Sequence, residues 1–181
     1  MKEVQSIKNR EKIEQIKTEL LKKNYRNYML FLIGINTGIK MNNILNLKVK
    51  DIKNKSYILI KGNQSEEAKK FPINSMLQKE INRYIKNMDD NMYIFQSQKG
   101  DNQPISRVQA YRILKEAGKK ANVDNIGTHT LRKTFGYWHY KQFKDIALLQ
   151  SIFNHSSPSI TFKYIGINQD KIDSKVDKFY L

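Results

Sequence analysis

The stretch Gly127-Thr128-His129-Thr130-Leu131-Arg132-Lys133-Thr134-Phe135 decides how this chain is read. Thr128 or Thr130 supplies a capping hydroxyl, and the pattern predicts a helix running on through Phe143. His129 and Arg132, three apart at the start of that helix, project from one face. They offer an imidazole and a planar five-donor fork, which suit two non-bridging oxygens of one phosphate. Taken alone, such a pair is more readily a solvated helix face.

A second stretch, Asn154-His155-Ser156-Ser157-Pro158, is followed by Tyr164, nine residues after His155. The chain has only 3 His, and two of them fall in these two stretches. Ser157-Pro158-Ser159 reads as a helix entry with Pro at an early position. By itself this stretch is a polar capping loop before a half-buried Tyr.

Charge narrows the partner. The 181 residues carry 33 Lys and Arg against 17 Asp and Glu, a formal net charge of +16, and the isoelectric point is near 9.8. Such an excess attracts a polyanion, nucleic acid foremost. A Lys-, Asn- and Ile-rich composition explains Lys in place of Arg but not the shortage of acids. A hydrophobic content of 39% and a mean hydropathy of −0.67 fit a globular chain of one domain. No apolar run approaches the roughly 20 residues of a membrane span. The charged N-terminus lacks a secretory signal, and the absence of Cys excludes disulfide and thiolate chemistry. The expected location is cytoplasmic.

Working outward, apolar spacing predicts helices over Ser6–Lys23, Tyr28–Ile39 (stopped by Thr37-Gly38), Lys40–Leu47 and Ser75–Lys86. Further helices are predicted from a Ser106 cap to Asn122, from Asp145 to Phe153, and over Lys171–Tyr180. The period changes at Tyr57–Ile60, Lys70–Ile73 and Met92–Phe95, which read as three short strands. Pro72 places the second at an edge or a strand end. The expected class is α+β, predominantly helical, with a small three-stranded antiparallel sheet inserted between helices.

Read together, these stretches resemble the catalytic domain of the tyrosine recombinases, the phage integrase family. Residues 127–135 resemble the family's His-x-x-Arg box, and Leu148–Ser156 its leucine-glycine-histidine-serine box, with Phe153 and Asn154 in place of the first two. Ile160–Tyr164 resembles the nucleophile segment, and Leu32–Lys40 the box of the first catalytic arginine, with Ile44-Leu45-Asn46-Leu47 and Asp51-Ile52 continuing the likeness. The boxes stand in the family's order over roughly residues 25–170.

The resemblance implies that Tyr164 attacks a scissile DNA phosphate, forms a 3′-phosphotyrosyl link and releases a 5′-hydroxyl. It implies that Arg132 clamps the phosphate, that His129 accepts the tyrosine proton, and that His155 donates a hydrogen bond to the phosphate. No metal or other cofactor is expected, and cationic side chains neutralise the transition state. Three positions depart from the pattern. Lys40 stands where the first arginine is expected and lacks its bidentate fork. Asn43 replaces the acid that braces that arginine. The hairpin lysine, general acid to the leaving oxygen, falls on Lys61 by one register and on Gln64 by another, and Gln cannot deliver a proton.

Lys69, Lys70, Arg107 and Arg112 are candidates for DNA-backbone contacts, Arg107 foremost because it opens a helix. His139, in Tyr137-Trp138-His139-Tyr140, reads as packing. The expected organisation is a single catalytic domain over 1–181, with an N-terminal helical arm (1–24) and no separate core-binding domain. The C-terminal helix (171–181) either docks on a neighbouring protomer, giving self-association on DNA, or packs on its own domain. Double-stranded DNA is the expected partner; neither a membrane nor a small-molecule substrate is expected. Two functions fit: site-specific DNA recombination (integration or excision), or a catalytically impaired member that binds DNA or a partner recombinase.

Overall fold

Asn9, Asn24, Asn74, Ser106, Asp145 and Ser157 each stop a chain segment and start a helix, because each side-chain oxygen accepts from an amide of the first turn. The computed structural model describes residues 4–62 and 68–168. Within them the order is α1 (Arg10–Lys23), α2 (Tyr25–Thr37), α3 (Met41–Leu45), α4 (Val49–Ile52), β1 (Tyr57–Ile60), β2 (Lys69–Pro72), α5 (Ser75–Ile85), α6 (Arg107–Lys120), α7 (Thr128–Phe143), α8 (Ile146–Phe153) and α9 (Pro158–Ile165). The class is as expected: mainly helical, with a small antiparallel sheet set between helices.

The centre is α2, whose Met29, Leu30, Phe31 and Ile33 are fully buried. It packs against α1, α5 and α7. Gly34 is small because Leu131 of α7 fills the place of a side chain. The segment set apart above as an arm is bound into the domain. Ile13, Ile16 and Leu20 of α1 enter the core, and Ser6 and Ile7 run beside α7 and α9. There the Ser6 hydroxyl donates to the Ile165 carbonyl (3.1 Å), the Ile7 amide donates to Thr134 Oγ1 (2.9 Å), and Trp138 Nε1 donates to the Ile7 carbonyl (2.9 Å). The first helix therefore starts at Arg10 rather than Ser6.

The sheet has two strands among the described residues, not three. Ile60 pairs with Lys69 and Tyr57 with Pro72, which leaves Pro72 at a strand end. The Met92–Phe95 segment makes one isolated bridge, Tyr93 with Lys48, and a second, Gln96 with Pro104, follows it. Its backbone is divided between two irregular neighbours: Val49 N donates to Met92 O and Ile94 N to Leu47 O, while Ile105 N donates to Phe95 O. The adjacent residues Ile94 and Phe95 are both fully buried, so the two-residue alternation of a strand is absent. A smaller second core joins α7, α8 and α9 through Leu149, Phe153 and Ile165. No helix among the described residues is long and apolar enough to cross a membrane. Gln64 and the expected C-terminal helix lie outside the described residues.

Candidate functional site

The site is built around Arg132, a cation only 6% exposed. Gly127 rather than a threonine occupies the cap of α7, and the Thr130 hydroxyl reaches back to the Gly127 amide (3.0 Å). This start directs Arg132 inward. One guanidinium nitrogen donates to the Gly38 carbonyl and another to the Ile152 carbonyl (3.2 Å). Gly38 sits at φ +67 at the end of α2, with the Phe135 ring where a side chain would go. The two carbonyls belong to the ends of α2 and α8, so one side chain fastens three helices. Burial lowers the Arg132 pKa from its usual value, and Tyr164 opposes the shift.

Phe153 forms the floor. Its ring lies 4.5 Å from the Arg132 guanidinium carbon, 5.2 Å from the Tyr164 ring and 5.4 Å from the His155 ring. His155 and Tyr164 stand edge to face at 5.0 Å. The residue between Phe153 and His155 is Asn154, at φ 59 and ψ 50. Asn tolerates the left-handed region, which accounts for its standing where the resembled box has glycine. The Tyr164 hydroxyl is close enough to the Arg132 guanidinium to feel its charge. Burial raises the Tyr164 pKa and the guanidinium pulls it back.

The histidines of the two motifs are tuned toward the neutral form. Burial lowers the His155 pKa, with Arg132 second. Its Nδ1 meets Thr161 Oγ1 at 3.0 Å, and the Thr161 hydroxyl donates to the Ser157 carbonyl (3.3 Å). The Thr161 oxygen is thereby available to accept from Nδ1–H, which leaves Nε2 as the free acceptor of the neutral ring. His129 is exposed; burial, then Arg107, Lys133, Arg132 and Lys40, lower its pKa. Its Nε2 lies 3.4 Å from an Arg107 nitrogen.

Arg132 also lines a cleft with Lys40, Asn43, Lys61, Lys69, Phe71 and Asn154. On its other side Arg132 lines a recess with Lys40, Asn43, Arg107 and His129. The structure thus gathers Lys40, Lys61, Arg107, His129 and Arg132 around one continuous surface, with His155 and Tyr164 against Arg132. Lys69, expected on the DNA backbone, is half-buried and donates to the Ser151 carbonyl (2.9 Å). Lys70 is exposed over the Tyr57 ring at 5.1 Å. Arg112 is not in the cluster; it lines a separate groove with Val4, Tyr111 and Ile126. His139 packs between Phe135 and Phe143, at 5.6 and 4.8 Å between ring centres.

Two residues of the site were given no role by sequence: Phe153, the floor, and Lys133, a cation only 7% exposed. The only signal for either was its place beside a motif residue.

Residues 8–171 match the family described as the phage integrase family. The chain is 50% identical to the probable integrase/recombinase YoeC of Bacillus subtilis (strain 168) over 167 residues, 92% of each chain. Its fold is similar to the crystal structure of XerA recombinase, with a TM-score of 0.76 at 21% identity, covering 98% of this chain and 66% of that one. It is also similar to XerH site-specific recombinase bound to palindromic difH substrate in a post-cleavage complex, with a TM-score of 0.72 at 21% identity, covering 97% of this chain and 53% of that one. The chain thus spans two thirds or less of those solved recombinases, although it spans nearly all of the Bacillus relative. On the family match and the 50% identity, the chain belongs to the phage integrase family of tyrosine recombinases.

Proposed function

We propose that the chain carries out site-specific recombination of double-stranded DNA by cleaving and rejoining strands through a 3′-phosphotyrosyl link at Tyr164. The observation that carries this reading is the setting of Arg132. It is anchored on two backbone carbonyls, its charge acts on Tyr164, and it faces a cleft shared with Lys40 and Lys61.

The reaction runs in line. The Tyr164 oxygen loses its proton to the neutral His129 and forms a bond to phosphorus. The bond from phosphorus to the 5′-oxygen breaks, and that oxygen takes a proton from Lys61. Energy stays in the phosphotyrosyl link, so a 5′-hydroxyl of another strand can reverse the step. Arg132 uses two of its five donors on Gly38 and Ile152. The remaining donors, with Lys40 and Arg107, offset charge on the non-bridging oxygens. The starts of α6 and α7, brought together at Arg107 and His129, add the positive ends of two helix dipoles. His155 donates to the phosphate from Nε2 once a proton is added there, and a bound anion favours that charged form.

The net charge of +16 supports duplex binding through phosphates, with affinity that falls steeply with salt. In this reading the place of action is the cytoplasm, at the nucleoid, and residues 171–181 either join protomers on DNA or serve their own domain. Lys40 and Asn43 support the second reading, a member impaired in cleavage that binds DNA or a partner recombinase.

Supercoiled plasmid and nicked suicide duplexes separate the two. The proposal expects relaxation and a covalent protein–DNA adduct with the wild type and none with Tyr164→Phe. Equal behaviour of the two proteins leaves the binding role.

A further inference from the structure

Lys133 stands out among the groups that the proposed reaction does not use. It is a lysine inside the second core, 7% exposed, next to the clamping Arg132. Long charged side chains are rarely that buried. Its ammonium lies 5.2 Å from the centre of the Tyr164 ring, within the range of a cation over an aromatic face. Its charge also reaches His129. Among the described residues, the charged and titratable groups placed against Tyr164 include Arg132 and Lys133 from α7 and His155 from the turn before α9. Arg132 addresses the hydroxyl and Lys133 the ring, so the two cations hold different parts of one nucleophile.

We propose that Lys133 is a positioning residue for the nucleophile: its buried ammonium holds the Tyr164 ring against Phe153 and Arg132 and favours the phenolate form. The assignment rests on the reading of Tyr164 as nucleophile. A phenolate spreads its charge into the ring, so a cation at the ring face attracts the anion more than the neutral phenol. This offsets the burial that otherwise disfavours ionisation of Tyr164.

The test needs no DNA. Place 3-fluorotyrosine at position 164 of the full chain and follow its fluorine resonance against pH in wild type, Lys133→Met, Lys133→Gln and Lys133→Arg. The midpoint is expected to rise by about one pH unit in Lys133→Met and Lys133→Gln, and to stay within about 0.3 units in Lys133→Arg. Lys133→Gln keeps a polar tip and stands in if Lys133→Met does not fold. A midpoint unchanged in either neutral variant overturns the proposal. On nicked suicide duplexes, the two neutral variants should show a cleavage defect that alkaline pH repairs. A defect equal at every pH makes Lys133 a packing residue only. Wild type that forms no adduct refutes the proposed function, whereas an unshifted fluorine titration refutes this inference alone.

Discussion

The two halves of the cleft are built on different terms. Tyr164, Arg132 and His155 sit on the second core, each against the Phe153 ring and each held by a neighbour from another element. Lys40 and Lys61 are exposed: one precedes the short helix α3 without a side-chain cap, and the other leaves a two-stranded hairpin. The first half is fixed by packing before any ligand arrives. The second supplies charge on flexible stems, with Lys69 on the Ser151 carbonyl as a tie between the hairpin and α8. A preorganised half stabilises a transition state with little reorganisation, whereas a loose half must be ordered by the substrate.

The largest effect should come from breaking the fixed half at its centre. Arg132→Lys keeps the charge but cannot reach Gly38, Ile152 and a phosphate at once. Single-turnover cleavage should fall by about 10²–10³-fold. Lys61→Met probes the loose half and should cost about 10²-fold. A duplex with sulfur in place of the bridging 5′-oxygen should restore its rate, since a thiolate leaves without a proton. No rescue would move the general acid away from Lys61.

Gly38→Ala tests the joint between the halves. The residue is at φ +67 and the Phe135 ring occupies the side-chain position, so the variant should lose about 1–3 kcal/mol of stability, read by thermal unfolding. Lys40→Arg should repair the loose half and raise cleavage about tenfold, because a fork replaces a point charge. No gain would place Lys40 outside the clamp.

The smallest effect is on pH dependence. His129 must be neutral to accept a proton, and its pKa lies below the usual histidine value. Cleavage should therefore be level near neutrality and decline as pH falls through that depressed value. His129→Gln should lower the plateau and remove the decline, measured as adduct formation against pH.

The fixed half was the more legible in sequence. Ser106, Asp145 and Ser157 mark their helices by local chemistry, and the His-x-x-Arg and His-to-Tyr spacings lie within short segments. What sequence did not show depends on contacts distant in the chain. Phe153 and Lys133 read as ordinary until α8 and α9 dock on α7. The apolar run at Met92–Phe95 suggested a strand, but its hydrogen bonds go to the segments around Leu47 and Ile105 instead of a third ladder. The start of α1 was placed early because apolar Ile7 fits helical spacing, yet its amide and carbonyl are taken by Thr134 and Trp138.

The central claim is that Tyr164 becomes joined to DNA. Lys163 precedes it and Lys171 follows, so trypsin releases a peptide that begins at Tyr164. Trap the adduct on a nicked suicide duplex, digest the protein and the DNA, and read the peptide by mass spectrometry. The account predicts a 3′-linked nucleotide on Tyr164. A nucleotide on any other residue, or no modified peptide from a protein that has bound the duplex, would contradict it.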